Sequence, residues 1–528
     1  MDAIAEPGCK IDRTAVAKES STDRKVFVAP LLLTLTFLLI RTLSGPFYLG
    51  TNYDPDYAYL FNSLNLAIFR APEHTDHPGT PVQLVGALIL RAQHPGATQV
   101  ELAFDTIRNS EIRLSQLNLA LFVLLLVCVL GGTAAISRSG ADQRSLFGFQ
   151  SALIFLGVNV YCLARANPEP LLMAVSVALA GMLFYTVRAS EATPWRAVIL
   201  IAFLSATGLA CKLNFLPLCF LPLVLVTSWK KKGVYCVLFA AFLTLWLLPL
   251  HAHWPRLVGW ISQLLFRTGQ YGSGHAGIID FAELLKNGGH ILAQNFPFVL
   301  LILGSLLLAL VNLRRTWSDP TSRRTAVALL AVSICEAIQL LVVSKFGESR
   351  YLVPAIGLAG LNFVLAKDLL PKIERPSRPW FRFGWAALLL SALVMSCMGA
   401  AGLRKQTGEN EAVATYVEDN RVQVTRIFGY GASSVHNARY FGNSFAGELY
   451  SDMLEHETRK EKVVFYNNFR GAYSTYTTRV SLTNLAAGPA VFQSGSFKSG
   501  SPIYEWPAGI KLSEQFGGRV EMAYQVEF

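Results

Sequence analysis

The sequence predicts a polytopic α-helical membrane protein that carries a small α/β domain at its C-terminal end. Of its 528 residues, 52% are hydrophobic and only 15% are charged, whereas soluble proteins average roughly 25% charged residues. Apolar runs of about 17 to 23 residues recur along the chain, and each is long enough to cross the ~30 Å hydrocarbon layer of a bilayer. Near the C-terminus, short β-like runs such as KVVFYN and PAVFQS alternate with helical stretches.

The apolar runs predict about eleven membrane-spanning helices within a transmembrane domain of residues 26–402. They lie near 26–44, 113–136, 146–164, 170–187, 197–211, 213–228, 234–251, 297–313, 325–344, 351–366 and 384–402. Residues 1–25 are polar and of mixed charge, which predicts a disordered cytoplasmic tail rather than a cleavable signal. Residues 403–528 form the predicted external α/β domain.

The distribution of basic residues favours one orientation. With the N-terminus in the cytoplasm, the inner loops carry most of the Lys and Arg residues, as the positive-inside rule requires. The net charge of +11 is then explained by topology. The sequence lacks a basic patch interleaved with aromatic residues, the pattern that would indicate nucleic-acid binding. The first outer loop, residues 45–112, contains YAYLFNSLNLAIF and TPVQLVGALILRAQ, whose apolar spacing predicts helices lying in the interface plane.

Four basic residues break this rule at the outer face: Arg165, Lys212, Lys345 and Arg350. Because a cation at the outer edge opposes the topology, each is a candidate for a local role. A lipid phosphate is the natural ligand, since phosphate prefers Arg and Lys donors and a polyprenyl chain prefers the membrane. The plain alternative is that Lys212 and Arg350 extend to the headgroups, or that Arg350 pairs with Glu348.

Acidic residues are predicted at the same level: Asp54, Asp56, Asp76 and Glu169. Transfer of a sugar to a hydroxyl requires a base that takes the acceptor proton, while nearby cations stabilise the departing phosphate. Asp54 and Asp56 flank a proline after the first span, and their plain alternative role is to cap the helix that follows. Tyr57, beside them, is expected to anchor at the interface or to stack on a sugar.

The segment HTDH, with His74, Asp76 and His77, raises the question of a metal. Its spacing is tight, and no second cluster of ligands is obvious nearby in the sequence. We therefore expect Asp76 and His77 to form hydrogen bonds with donor or acceptor, with His77–Pro78 opening a helix. No cofactor is expected, and a divalent metal is the less favoured alternative.

Four motifs occur in a fixed order: YDPDYAYL after the first span, HPGTPVQLVGAL later in the same loop, GLACK in mid-chain and SRYLVP before a late span. With these motifs in this order, the chain resembles the GT-C superfamily of membrane glycosyltransferases over roughly residues 26–366. It is closest in pattern to the branch of protein O-mannosyltransferases and lipid A aminoarabinose transferases. The resemblance implies a polyprenyl-phosphate sugar donor, a lipid, glycan or protein acceptor, and a metal-independent reaction that inverts the sugar carbon.

The resemblance also implies roles for individual residues. An acid of the first outer loop would be the catalytic base, with Asp54 the best positional match and Asp56 the second. The family often has adjacent acids where this chain has Asp-Pro-Asp, so the choice between the two stays open. Three cations would hold the donor phosphate: Lys212, Arg350 and Arg165. Glu169 would orient a sugar hydroxyl or pair with Arg165. The further substrate-binding candidates are His77, Asp76, Tyr57, Lys345 and Tyr351.

Two other classes of function compete with a glycosyltransferase. A transporter or flippase of a lipid-linked sugar often shows internal repeats and charges at the midplane, whereas here the charges gather at one edge. An assembly protein on the same scaffold would have lost the acids, which are present. The orientation and the resemblance predict a bacterial inner membrane protein with its active site and C-terminal domain in the periplasm.

Overall fold

The computed structural model describes residues 27–50, 56–76, 79–190, 193–269, 272–315, 319–370, 377–419, 424–459, 461–467, 470–486, 488–495, 510–517 and 520–527. The chain is mainly helical, and the helices are followed by one mixed β-sheet. The predicted fold class, a polytopic helical protein with a C-terminal α/β domain, is therefore confirmed. The predicted N-terminal tail lies outside the described residues.

Seventeen described α-helices precede the sheet. In chain order they are α1 (Val28–Ser44), α2 (Asp56–Ala67), α3 (Thr80–Gln93), α4 (Gln99–Arg108), α5 (Ser110–Arg138), α6 (Gln143–Gln150), α7 (Pro168–Ala189), α8 (Trp195–Cys211), α9 (Leu221–Leu225), α10 (Trp229–Leu247), α11 (Trp254–Phe266), α12 (Phe281–Gln294), α13 (Phe296–Arg315), α14 (Pro320–Phe346), α15 (Val353–Ile356), α16 (Ala359–Leu369) and α17 (Ser377–Asp419). Short 3₁₀ segments join or extend them at Phe47–Leu49, Ser151–Ala164, Leu213–Phe220, Leu248–His253 and Ser349–Leu352.

Seven helical segments among the described residues are long and apolar enough to cross a membrane. An eighth results if the bent pair Ser349–Ile356 and Ala359–Leu369 counts as one span. Three shorter apolar helices, Val28–Ser44, Trp195–Cys211 and Leu213–Leu225, coincide with further predicted spans. Each of the eleven predicted segments thus coincides with a helix, while the number that crosses the bilayer stays a prediction.

The first helix shows how the sequence pattern places these helices. Leu33, Phe37 and Ile40 lie at three- and four-residue spacing and are buried, so they face the helix bundle. Leu31 and Leu35 lie on the other face and are more than half exposed. An apolar face that is left open in this way is what contact with lipid requires.

The C-terminal part is built on a seven-stranded sheet. Its strands are β1 (Thr425–Phe428), β2 (Val463–Asn467), β3 (Ala472–Ser474), β4 (Arg479–Val480), β5 (Ala490–Gly495), β6 (Lys511–Gly517) and β7 (Glu521–Glu527), in the order β4-β3-β2-β1-β5-β7-β6. Its helices are α18 (Val435–Phe445), α19 (Ser451–Thr458) and α20 (Leu482–Leu485). β1 pairs in parallel with β2 and β5, and the other neighbours are antiparallel. The apolar runs predicted β1, β2, β5 and β7; the shorter or more polar strands β3, β4 and β6 gave no such signal.

The C-terminal domain covers the first outer loop, because α18 packs directly on α2. A Cβ atom added to Gly442 of α18 would lie 2.8 Å from the Cβ of Tyr57, so the two backbones approach as closely as a glycine permits. Asn65 of α2 donates a hydrogen bond to the carbonyl of Ala446 at 3.2 Å. α2 is therefore buried, and the predicted placement of this loop in the interface plane stays a prediction.

Helix α17 joins the membrane part to the sheet. Its 43 residues run through the predicted domain boundary at residue 403 without a break, over a length of about 65 Å. Near its end, Tyr416 stacks on Phe516 with ring centroids 5.0 Å apart. Glu418 pairs with the buried Arg426 of β1 at 2.5 Å. The sheet is thus fastened to the helix, and the exact domain boundary stays a prediction.

Candidate active site

A buried ion pair joins the lysine of the GLACK motif to a predicted acidic residue. Lys212 follows the last residue of α8, and Glu169 lies in the first turn of α7, where the helix dipole favours a carboxylate. Their Nζ and Oε1 atoms are 2.8 Å apart, and both side chains are at most 2% exposed. The second oxygen of Glu169, Oε2, is buried and accepts no hydrogen bond from the described residues. Because a buried acceptor without a donor costs free energy, this oxygen is expected to accept from a donor outside the described residues, such as water or a ligand.

Tyr351 covers this ion pair. The Nζ atom of Lys212 lies 4.4 Å from the centroid of the Tyr351 ring, and the guanidinium carbon of Arg350 lies 5.4 Å from it. The backbone carbonyl of Tyr351 accepts a hydrogen bond from Gln339 at 3.0 Å, which fixes the turn that carries SRYLVP. The Nε atom of Arg350 is 3.7 Å from a carboxylate oxygen of Glu348, the partner that the sequence offered as an alternative.

Asp56 is buried at the first residue of α2, and the described residues hold both of its oxygens. Oδ2 accepts a hydrogen bond from Nε of Arg165, and Oδ1 accepts one from the backbone N–H of Ala166, each at 2.7 Å. The sequence offered Arg165 as a partner of Glu169. The structure instead pairs Arg165 with Asp56 and Glu169 with Lys212, because α2 lies against residue 165 and the end of α8 lies against residue 169.

The predicted charged residues converge on one place. Lys212 contacts both Glu169 and the ring of Tyr351, and the guanidinium of Arg350 lies against the same ring. Arg165 lies four residues before Glu169 in the chain. These residues come from three stretches, at residues 165–169, 212 and 350, which are far apart in the sequence. The structure therefore brings together most of the charged residues that the outer-face pattern singled out, in an environment where charges interact strongly.

An apolar groove of about 770 Å³ ends at these charges. Its walls come from α14, α11 and the segment 213–224, and include Ile338, Trp260 and Leu264. Lys212 and Lys345 line the same groove. The Nζ atom of Lys345 donates a hydrogen bond to the backbone carbonyl of Leu264 at 2.7 Å. Since Ile338 remains 46% exposed, the groove opens toward the outside of the helix bundle.

The remaining predicted residues lie elsewhere or outside the described part. Tyr57 is fully buried and donates to Glu111 at 2.7 Å; burial, together with the charge of Glu111, raises the pKa of the Tyr57 phenol, so that it remains a donor. Asp76 lies at a second, polar cavity. Asp54 and His77 lie outside the described residues. Within the described ranges, no three His, Cys, Asp or Glu side chains are grouped so that they could hold a metal ion.

Sequence reasoning missed two contributors to the site. Helix α11 carries none of the predicted site residues, although Leu257, Trp260 and Leu264 recur at helical spacing and are buried. That spacing was a usable signal. Glu111 accepts hydrogen bonds from Tyr57 and from the backbone N–H of Phe47, and so holds the chain just before the acidic motif. No local pattern marks Glu111, because its partners are distant in the sequence.

A buried carboxyl group connects the sheet to the segment at Leu49, just before the acidic motif. Glu521 of β7 accepts hydrogen bonds from the backbone N–H of Ser433 at 2.6 Å and from Gln493 at 2.5 Å. Ser433 in turn donates to the carbonyl of Leu49 at 3.4 Å, and Asn410 donates to the same carbonyl at 2.8 Å. Burial raises the pKa of Glu521 to about 7 from its ordinary 4.5.

The raised pKa of Glu521 predicts a loss of stability between about pH 4.5 and pH 7. Below that range the carboxyl is protonated in both states. Within it, the unfolded chain releases the proton while the folded domain retains it, so the free energy of unfolding falls by about 3 kcal/mol in total and is constant above pH 7. Glu521→Gln should remove this slope, as measured by hydrogen exchange of β5 and β7 corrected for intrinsic rates. The exposed Glu514→Gln is the control; an unchanged slope in Glu521→Gln would contradict the assignment.

The fold and the site together define a class: a polytopic membrane protein in which a groove open to the outside of the bundle ends at the buried Lys212 and the half-buried Lys345. Comparison with solved structures finds the crystal structure of ArnT from Cupriavidus metallidurans bound to undecaprenyl phosphate, with 13% identity over 93% of this chain and 97% of that chain and a TM-score of 0.45. The apo structure of the same protein gives a TM-score of 0.48 at the same identity and coverage.

A further similar structure is the oligosaccharyltransferase of Archaeoglobus fulgidus, tethered to an acceptor peptide that contains the NVT sequon. It shares 11% identity over 80% of this chain and 63% of that chain, with a TM-score of 0.38. Both neighbours are members of the GT-C superfamily that the motifs of this chain resemble. No family model and no curated protein matches the chain.

Proposed function

We propose that the protein is an integral membrane glycosyltransferase, which moves a sugar from a polyprenyl-phosphate donor to a hydroxyl of a lipid, glycan or protein acceptor. The observation that carries the proposal is the apolar groove with Lys212 and Lys345 at one end. A polyprenyl chain needs an apolar surface that is reached from the bilayer, and its phosphate needs cations at the end of that surface. The groove supplies both.

The proposed reaction uses the charged cluster at the end of the groove. The acceptor oxygen attacks the anomeric carbon from the face opposite the phosphate and inverts it. The bond between this carbon and the phosphate oxygen breaks, and its electron pair leaves with polyprenyl phosphate. Lys212, Lys345 and Arg350 stabilise the charge on that phosphate, and the unpaired oxygen of Glu169 accepts a hydrogen bond from a hydroxyl of the sugar.

The acidic motif supplies the base in this proposal. An acid of the segment 54–56 takes the proton from the acceptor hydroxyl as the new bond forms. Asp54 and Asp56 both remain candidates. Because both oxygens of Asp56 already accept hydrogen bonds from Arg165 and Ala166, Asp56 is suited to hold Arg165 in place. The charge pattern of the loops supports an active site on the periplasmic face of a bacterial inner membrane.

The experiment that tests the proposal blocks the groove. Purified protein in nanodiscs is incubated with polyprenyl-phosphate-linked mannose, aminoarabinose, galacturonic acid, glucose or arabinose and with an extract of bacterial envelope lipids and glycans. Release of polyprenyl phosphate and the mass gain of an acceptor are measured. Ile338→Trp fills the groove and should lower release at least tenfold, whereas Leu310→Trp, at an equally exposed position of α13, should not.

Two results would contradict the proposal. Wild-type protein that releases no polyprenyl phosphate from any of these donors is not the proposed enzyme. Movement of the intact lipid-linked sugar across the bilayer of sealed vesicles that contain the protein, without release, would instead support the transporter.

A further inference from the structure

A second cavity, of about 470 Å³, lies where three parts of the chain meet. Residues 73–76 of the first outer loop form one wall, and Arg256 of α11 forms another. The third wall belongs to the C-terminal domain and comes from residues 444–448 and Arg470. The cavity has the size of a small-ligand site, and it exists only because the C-terminal domain is docked on the loop.

The polar walls of this cavity carry two ion pairs. Arg256 pairs with Glu73 at 3.0 Å and also donates to the hydroxyl of Thr75 at 3.0 Å. Arg470 pairs with Glu448 at 2.9 Å. These four charged side chains are between 29% and 56% exposed, so they keep donors and acceptors that a ligand can reach. A guanidinium has five N–H donors and a carboxylate has about four acceptor sites, which the ion pairs use only in part.

An aromatic stack forms the apolar part of the wall. The ring of His74 lies between those of Tyr59 and Phe445, with centroid distances of 5.3 and 5.0 Å. His74 is buried, whereas Phe445 is only half-buried and lines the cavity. The cavity therefore combines an aromatic ring with charged groups that accept and donate hydrogen bonds.

The backbone on the C-terminal side of the cavity is strained. Gly447 has a φ of 79°, and a Cβ atom there would lie 2.7 Å from Cγ of Glu73. Glu448 has a φ of 60° although it is not a glycine. Non-glycine residues rarely adopt this conformation, and such strain is concentrated at functional sites. Here it turns the carboxylate of Glu448 toward Arg470.

The cavity lies beside both parts of the proposed active site. Tyr59, which stacks on His74, is three residues after Asp56 on α2, less than one helical turn away. Arg256 is four and eight residues before Trp260 and Leu264, which line the groove from the same helix, about 6 and 12 Å along its axis. A molecule in the cavity can thus reach toward the acid and the end of the groove.

We propose that this cavity binds the saccharide headgroup of the acceptor. Carboxylates that accept, guanidiniums that donate and an aromatic face between them are suited to the many hydroxyls of a sugar, and the two arginines also suit an anionic substituent on it. An extended peptide would instead be recognised along a strand edge or by apolar side-chain pockets. This inference rests on the proposed glycosyltransferase function, and it selects a glycan or glycolipid acceptor.

The test measures saccharide binding and lipid binding separately on the full-length protein in nanodiscs. The probes are maltotriose, trigalacturonic acid, the glucosamine trimer and a serine-containing hexapeptide. Their binding is detected by saturation-transfer NMR, and their affinities are measured by titration. At least one trisaccharide should bind, and Arg470→Gln and Glu448→Gln should each weaken that binding about tenfold or more. Arg459→Gln, an exposed arginine of the same domain outside the cavity, is the matched control and should bind as the wild type does. Undecaprenyl phosphate should bind all of these variants equally.

The outcomes separate this inference from the proposed function. If undecaprenyl phosphate binds but no trisaccharide does, or if the peptide binds and Arg470→Gln weakens it, the saccharide site is wrong while the donor site stands. If a trisaccharide binds in the cavity but undecaprenyl phosphate does not bind, the cavity assignment stands and the proposed donor is wrong. Trisaccharide binding that Arg470→Gln and Glu448→Gln leave unchanged would also overturn the inference.

Discussion

Lys212→Met is expected to lower sugar transfer by about two orders of magnitude. The ammonium group of Lys212 stands at the end of the groove, where the proposed phosphate gains charge as it leaves. Removing one partner of a buried, hydrogen-bonded charge pair typically costs about 3 kcal/mol in binding, which is roughly a hundredfold in rate or affinity. The measurement is kcat/KM for release of polyprenyl phosphate, together with the affinity for undecaprenyl phosphate.

A second variant separates binding from folding in this experiment. Lys212→Met alone leaves the carboxylate of Glu169 buried without its partner, which destabilises a protein by about 3–5 kcal/mol. Adding Glu169→Gln removes that unpaired charge and should restore thermal stability. Transfer should stay low in the double variant, because the cation is still absent. A double variant with wild-type kcat/KM would show that Lys212 only stabilises the fold.

Asp56→Asn is expected to lower transfer by about two to four orders of magnitude, the range usual for a general base. The variant keeps an oxygen that can accept from the N–H of Ala166. Its amide N–H₂ group then faces Nε of Arg165, which is also a donor. The Asp56–Arg165 ion pair is therefore broken. The rate of acceptor glycosylation by purified, folded variant measures the effect.

The pH dependence of kcat/KM distinguishes the two roles open to Asp56. If Asp56 takes the proton, the acidic limb of the profile disappears in Asp56→Asn but persists in Arg165→Gln. If Asp56 only holds Arg165, both variants lose a similar amount of activity and both keep the limb. In that case, the acidic limb of the pH profile should disappear in Asp54→Asn, which is measured alongside. Full activity in both Asp56→Asn and Asp54→Asn would rule out the acidic motif as the source of the base.

The sequence predicted the helices well, because they depend on local composition, and the same local pattern singled out the outer-face cations. A run of apolar residues must become a helix in a membrane, where every backbone N–H and C=O needs an internal partner. Arg165, Lys212 and Arg350 stood out as cations on the wrong side of the charge pattern. In the structure, Lys212 and Arg350 meet at the ring of Tyr351, and Arg165 pairs with Asp56.

The pairing of those charges could not be predicted, since it depends on which helix ends meet. Arg165 contacts Asp56 from 109 residues away, and Lys212 contacts Glu169 from 43 residues away. The docking of α18 on α2 is equally non-local, because it depends on a glycine at 442 that reads in the sequence as an ordinary helix residue. The edge strands β4 and β6 escaped prediction because partly exposed strands lack the continuous apolar run of β2 and β5.

Helix α17 makes the C-terminal domain sensitive to the thickness of the bilayer. The helix is about 65 Å long, roughly twice the ~30 Å hydrocarbon layer, and the sheet is fastened near its far end through Tyr416 and Glu418. A long helix adapts to a thinner or thicker bilayer by tilting. Each degree of tilt moves the far end of such a rod by roughly 1 Å. Because α18 of the same domain packs directly on α2, lipids of different chain length would load the contact between the C-terminal domain and the first outer loop.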